Sequence, residues 1–196
     1  MKQLLLGIAL IVLLGIAGFL YRNVMEHPRP MLITDAAQVH TPPRTDMAVE
    51  GLTYVLPSGF SADEHAIGAE PTLRAAFVAS STETIMIRDY PIPDGKKAED
   101  VMLSSTQYQT SGKVAKSMKE LSTLLINGQT FYSVVLERFE GQVHTAYYLP
   151  RTTDVLRFEA IDTGVANWTD SKLDVTTLPA QSALRQMLTT LEVTKQ

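Results

Sequence analysis

The chain opens on a stretch with no polar period at all. Residues 4–20 read LLLGIALIVLLGIAGFL, seventeen positions without a charged or strongly polar side chain. Leu4, Leu5, Leu6, Ile8, Leu10, Ile11, Val12, Leu13, Leu14, Ile16, Phe19 and Leu20 make a surface that is more stable in hydrocarbon than in water. As a helix the run is about 26 Å long at ~1.5 Å per residue, and Tyr21, Arg22, Val24 and Met25 extend it toward the ~30 Å of a bilayer core. The pattern predicts a membrane anchor within residues 1–25, with a short cytoplasmic lead carrying Lys2. A cleaved signal peptide is the competing reading, since Lys2 supplies a positive start and Gly15, Ala17 and Gly18 are small. The length of the run, and the Phe19-Leu20-Tyr21 that follows the small residues, favour an uncleaved anchor.

Residues 26–50 lose this character and gain Pro28, Pro30, Pro42 and Pro43. Proline fixes φ and disfavours helix at the residue before it, which predicts an extended spacer. Residues 51–196 then carry the alternations of one globular domain. Strands are predicted at 52–56, 74–79 and 84–90, the last two forming a hairpin. A meander follows at 119–126, 130–139, 143–149 and 155–162, turning at Asn127-Gly128 and Glu140-Gly141. Between these groups, Ala98, Val101, Met102, Ser105 and Tyr108 recur at three- and four-residue spacing and predict a helix capped by Asp94 and ending near Ser111-Gly112. A second helix starts near Pro179, with Ala180, Leu184, Met187, Leu188 and Leu191 on one face, and residues 191–193 close the chain as a short strand. Tyr132, Val134 and Leu136 in one strand, and Leu156, Phe158 and Ala160 in another, supply faces for helices to cover. The fold class predicted is α+β, an antiparallel sheet flanked by amphipathic helices behind an N-terminal transmembrane helix.

This order of elements resembles the PsbP-like fold, a family of small α/β sandwiches that includes the Ran-binding Mog proteins and envelope lipoproteins of the DcrB type. The resemblance rests on LTYVLPSGF at residues 52–60, similar to the family's opening strand, proline, small residue, glycine and aromatic. It rests also on the meander pivoting at Asn127-Gly128, and on residues 183–195, similar to the family's closing helix and short strand. It implies an accessory or binding module of a larger assembly rather than an enzyme, and brings no catalytic residues with it. Where the bacterial lipoproteins use a lipid anchor, this chain carries the apolar run.

Composition narrows the chemistry. Hydrophobic residues make up 45% and charged residues 19%, which permits a sizeable core. There is no cysteine, so disulfides, thiolate metal sites, cysteine nucleophiles and a lipobox are excluded. The net charge of −4 argues against nucleic acid as a partner. His27, His40, His65 and His144 form no metal-binding spacing, and neither a nucleophile elbow nor a phosphate-binding glycine loop occurs. No metal and no cofactor are predicted.

The candidates left are few. His144, Glu137 and Glu159 are predicted on adjacent strands with Arg157, a combination suited to proton transfer and equally to a cross-strand charge lattice on a solvent-facing sheet. Lys113, Lys116 and Lys119 cluster beside the first helix and suit anionic lipid or an acidic partner, or an ordinary solvated face. Trp168, the single tryptophan, lies in a polar loop, as a partner anchor or as a plug at the end of the core. The resulting expectation is a single-pass protein of the bacterial inner membrane, its C-terminal domain periplasmic, serving a membrane or periplasmic complex without catalysis. The alternatives are an enzyme using the polar sheet-face cluster and an envelope protein that binds lipid or a small ligand.

Overall fold

The computed structural model describes residues 44–47, 50–67 and 70–194, which belong to the compact unit running from Pro42 to the C-terminus. The anchor expected at residues 4–20 and most of the expected spacer lie outside the described residues. Among the described residues no helix is long and apolar enough to cross a membrane.

Among the described residues, ten strands and two α-helices build the domain. In chain order they are β1 (Arg44–Met47), β2 (Leu52–Val55), β3 (Ser61–Ala62), β4 (Leu73–Val78), β5 (Glu83–Pro91), α1 (Ala98–Ser105), β6 (Ser122–Ile126), β7 (Gln129–Phe139), β8 (Gln142–Pro150), β9 (Asp154–Asp162), α2 (Pro179–Thr189) and β10 (Glu192–Val193). An antiparallel seven-stranded sheet has the order β3-β4-β5-β9-β8-β7-β6, and a small sheet has the order β1-β2-β10. β1 falls at the end of the stretch expected to be spacer, so the folded unit begins ahead of residue 51. The meander β6 to β9 forms as its turns dictate. Asn127 and Gly128 have φ of 47° and 73°, and Glu140 and Gly141 of 49° and 79°, the paired positive values of a type I′ hairpin turn. The hairpin β4–β5 then joins the meander through β5 and β9, in register from Glu83↔Asp162 to Pro91↔Asp154.

The large sheet is covered on both faces. One side of β9, with Leu156, Phe158 and Ala160, packs with Ile85 and Ile87 of β5, Tyr54 of β2 and the stripe Ala180, Leu184, Met187 and Leu188 of α2. The other side of the sheet packs Tyr132, Val134 and Leu136 of β7 with Ala146 and Tyr148 of β8 against Val101 and Met102 of α1. The two alternations read in the sequence therefore serve separate cores, on opposite faces of one sheet. α2 starts with Pro179 at its first position, and Asp162 at the end of β9 accepts the Ala180 N–H at 2.8 Å, so the strand's last carboxylate caps the helix that covers it.

α1 is shorter than its apolar period implies. Its first turn is held by the Asp100 carboxylate accepting the Lys97 N–H at 2.9 Å, leaving Asp94 in the preceding turn. Its end comes at Ser104-Ser105-Thr106. Their hydroxyls donate back to the carbonyls of Val101 and Met102, and that local bonding competes with further helix. The Thr106 hydroxyl also lies 2.8 Å from the buried Tyr148 hydroxyl, which fixes the exit of the chain. Residues 107–114 then fold back through a Gln107↔Val114 bridge instead of continuing as helix.

Candidate functional site

β9 reads DVLRFEAID, and seven of its nine residues are buried. A strand hidden on both faces reads as a nearly continuous apolar run, so the charges inside it need partners. Arg157 and Glu159 are two residues apart and point to the face that α1 covers only at one end. The register places Arg88 of β5 opposite Arg157, and Ala146 of β8 opposite Glu159, with His144 two residues from Ala146 along β8 and so on the same face.

These four side chains close on one another. Glu159, 1% exposed, accepts from Arg88 Nε at 2.8 Å through Oε1 and contacts His144 Nε2 at 2.9 Å through Oε2. Arg157 pairs with the same Oε1, donates from Nη1 to the Ser105 carbonyl at 2.6 Å, and holds its guanidinium 5.1 Å from the centre of the Tyr90 ring. Arg88 reaches outward to Glu70 in the loop before β4. Burial alone raises the Glu159 pKa. The His144 hydrogen bond, followed by the positive charges of Arg157 and Arg88, outweighs it and holds the carboxyl at about 2. Glu159 is thus an anion inside the sheet. An ionised carboxylate only accepts, so the His144 nitrogen facing it carries a proton. The other ring nitrogen, Nδ1, is buried with no hydrogen-bond partner among the described residues.

His144 and Glu159 are therefore brought into direct contact, inside the sheet rather than on a solvent-facing side. Glu137 lies opposite His144 across β7 and β8, but its carboxylate accepts from Gln142 Nε2 at 2.7 Å. Sequence reasoning missed Arg88 and Glu70. Arg88 carried a signal, since it stands in the apolar alternation TIMIRDY of β5; Glu70, in a loop, carried none.

The partner-binding candidates sit apart from this cluster. Lys113, Lys116 and Lys119 are exposed on the segment between α1 and β6, which is pinned by Glu120 accepting the Lys116 N–H at 2.9 Å and contacting the Tyr108 hydroxyl at 3.0 Å. Trp168 is half-buried in the loop between β9 and α2. It meets Phe139 edge-on, with ring centres 5.9 Å apart, and its carbonyl accepts from Arg138 Nε. It belongs to neither core, and with the 43%-exposed Phe139 it forms an aromatic pair at the tip of the β7–β8 hairpin. A groove of about 480 Å³ lies between the turn after β2 and the end of α2, lined in part by Leu56, Pro57, Phe60 and Gln186. Among the described residues no group of three or more His, Asp or Glu is placed to hold a metal ion.

No protein-family model matches the sequence, and comparison with curated proteins gives no match. Solved structures do match. The solution structure of cyanobacterial PsbP (CyanoP) from Synechocystis is similar at a TM-score of 0.50 and 15% identity, over 77% of this chain and 91% of that one. A crystal structure from Bacteroides thetaiotaomicron is similar at a TM-score of 0.45 and 10% identity, over 74% of this chain and 46% of that one. The opening strand and Pro-Ser-Gly turn, the meander and the closing helix with its short strand stand in the order read from the sequence, and together with the likeness to CyanoP they show that this domain has the PsbP-like fold.

Proposed function

We propose that this chain is a non-enzymatic accessory or binding module, tethered to the bacterial inner membrane by residues 4–20 with its PsbP-like domain in the periplasm, and that it serves a membrane or periplasmic protein complex. The observation that carries the reading is the use made of the ionisable groups. Glu159, His144, Arg88 and Arg157 satisfy one another inside the sheet, where they hold strands β5, β8 and β9 together instead of meeting a substrate. What the domain presents outward is recognition chemistry: the lysines at 113, 116 and 119, and the aromatic pair of Phe139 and Trp168. A membrane tether raises the local concentration of such a module, so modest affinity for its partner suffices.

The test is extraction followed by capture. The full chain should resist carbonate extraction from membranes, and in mild detergent should recover a partner in constant ratio. A variant combining Trp168→Ala with Lys113→Glu and Lys116→Glu should lose that partner while keeping its thermal unfolding. A chain that washes off with carbonate, or runs alone under every extraction condition, overturns the proposal.

A further inference from the structure

Sheet edges are where chains recognise one another, because an edge strand leaves a row of N–H and C=O groups unpaired. Most of the edges of this domain are defended. β3 and β10 are two residues long, β1 carries Arg44, and the part of β7 that extends past β6 is broken by a bulge at Leu136.

β6 has none of these defences. It is the last strand of the seven-stranded sheet and reads STLLI, with no charge, proline or bulge. The sixteen residues from Leu121 to Leu136 contain no Asp, Glu, Lys, Arg or His, where the chain's 19% charged average would place about three. Leu125, in the middle of β6, is 76% exposed, the highest value among the exposed large hydrophobic residues of the described part.

The hairpin geometry says which groups face outward. Ile126 and Gln129 close the two-residue turn, so Ile126, Leu124 and Ser122 exchange ladder bonds with β7. Thr123 and Leu125 then direct their backbone N–H and C=O away from the sheet, and among the described residues neither amide has an acceptor.

We infer that β6 pairs antiparallel with β6 of a second copy of this chain, about a two-fold axis at Leu124. In that register Thr123 of each copy faces Leu125 of the other, so all four outward amides and carbonyls enter a ladder. Leu124 faces its own copy, and Leu125 lies diagonal to its own copy, within reach for apolar contact. The edge is complementary to itself in charge, which fits a second copy as the occupant. Two chains of net charge −4 repel one another, whereas an uncharged edge brings no like charges together when it meets itself. The five-residue ladder is about 17 Å long and falls short of the ~1,200 Å² of a standard interface, so the pair forms and separates readily.

A chain without cysteine makes the test clean. Single-cysteine variants of the full chain in mild detergent are oxidised with copper phenanthroline, with the exposed Lys172→Cys as the collision control. Facing Cα atoms in the proposed register are about 4.5–5.5 Å apart, within disulfide range, while diagonal ones at about 7–8 Å are not. Leu124→Cys should link to itself at least tenfold faster than the control. Because Leu124 also packs on the core, a second arm uses surface positions only: Thr123→Cys mixed with Leu125→Cys should link at least tenfold faster than either alone. Adding Leu125→Lys should abolish the excess linking of Leu124→Cys with unchanged thermal unfolding. Linking at the control rate in both arms overturns self-pairing and leaves the edge to a strand of another protein. Equal linking by the mixture and by Leu125→Cys alone overturns the register.

Discussion

Replacing Glu159 with glutamine removes one buried negative charge while keeping the shape of the side chain. Arg88 and Arg157 are then left facing each other across β5 and β9, and His144 loses its anionic acceptor. The size of the loss follows from the carboxyl's shift from 4.5 to about 2, which at ~1.4 kcal/mol per pH unit is about 3 kcal/mol. Breaking a buried ion pair by deleting one partner costs ~3–5 kcal/mol, and the lower end applies here because Arg88 keeps Glu70 and Arg157 keeps the Ser105 carbonyl. In a domain of this size that corresponds to a fall in Tm of roughly 6–12 °C. The pH dependence has a definite sign. A carboxyl held below its unfolded pKa stabilises the fold above pH ~4.5, and that stabilisation is lost as pH falls toward 2. The variant lacks this one titration, while the other carboxylates titrate in both proteins and cancel in the difference. Urea unfolding followed by circular dichroism should therefore show a wild-type advantage of about 3 kcal/mol at pH 7, with roughly 2 kcal/mol of it gone by pH 3. An advantage below ~1 kcal/mol at pH 7, or one that does not change with pH, refutes the claim that this cluster holds the sheet.

Two further substitutions test the packing and the turn. Leu184→Ala opens a cavity between α2 and β9 at a fully buried position and should lower stability by ~2–5 kcal/mol, read as a drop in urea midpoint without a change in slope. Gly128→Val forces a β-branched residue to a φ of +73° with open space around it, so the cost is backbone strain alone, ~1–2 kcal/mol in thermal unfolding.

The elements that local chemistry dictates were legible in the sequence. Asn127-Gly128 and Glu140-Gly141 announced their hairpins because only residues that tolerate positive φ fit such turns, and Pro179 with its apolar stripe announced α2. Three features were not legible, each because it depends wholly or in part on contacts remote in sequence. The length of α1 is set by Ser104, Ser105 and Thr106 bonding back onto the helix, with Tyr148 fixing Thr106 from another strand. The insertion of β9 between β5 and β8 brings together residues some 70 positions apart, such as Arg88 and Glu159. The burial of the His144 cluster follows from that insertion, since a charge pattern on an edge strand would face water whereas the same pattern on a central strand is enclosed.

The length of α1 and the charge cluster are linked. α1 has 8 residues, about 12 Å at ~1.5 Å per residue, whereas the 9 residues of β9 extend for about 30 Å. The helix therefore covers Val155 and Tyr148 at one end of that face and stops where Arg157 reaches its Ser105 carbonyl. Beyond that point Glu159 and His144 are still buried, at 1% and 4% exposure, and that part of the face is closed by something other than the helix's buried pair Val101 and Met102. Paired charges span it: Arg157 bridges from the helix end to Glu159, and Arg88 continues the chain to Glu70 at the surface. The cluster thus acts as a polar extension of the short helix, joining α1, β5, β8 and β9 into one unit. It also explains why the residues best suited to acid–base chemistry in this chain are the ones most fully committed to the fold.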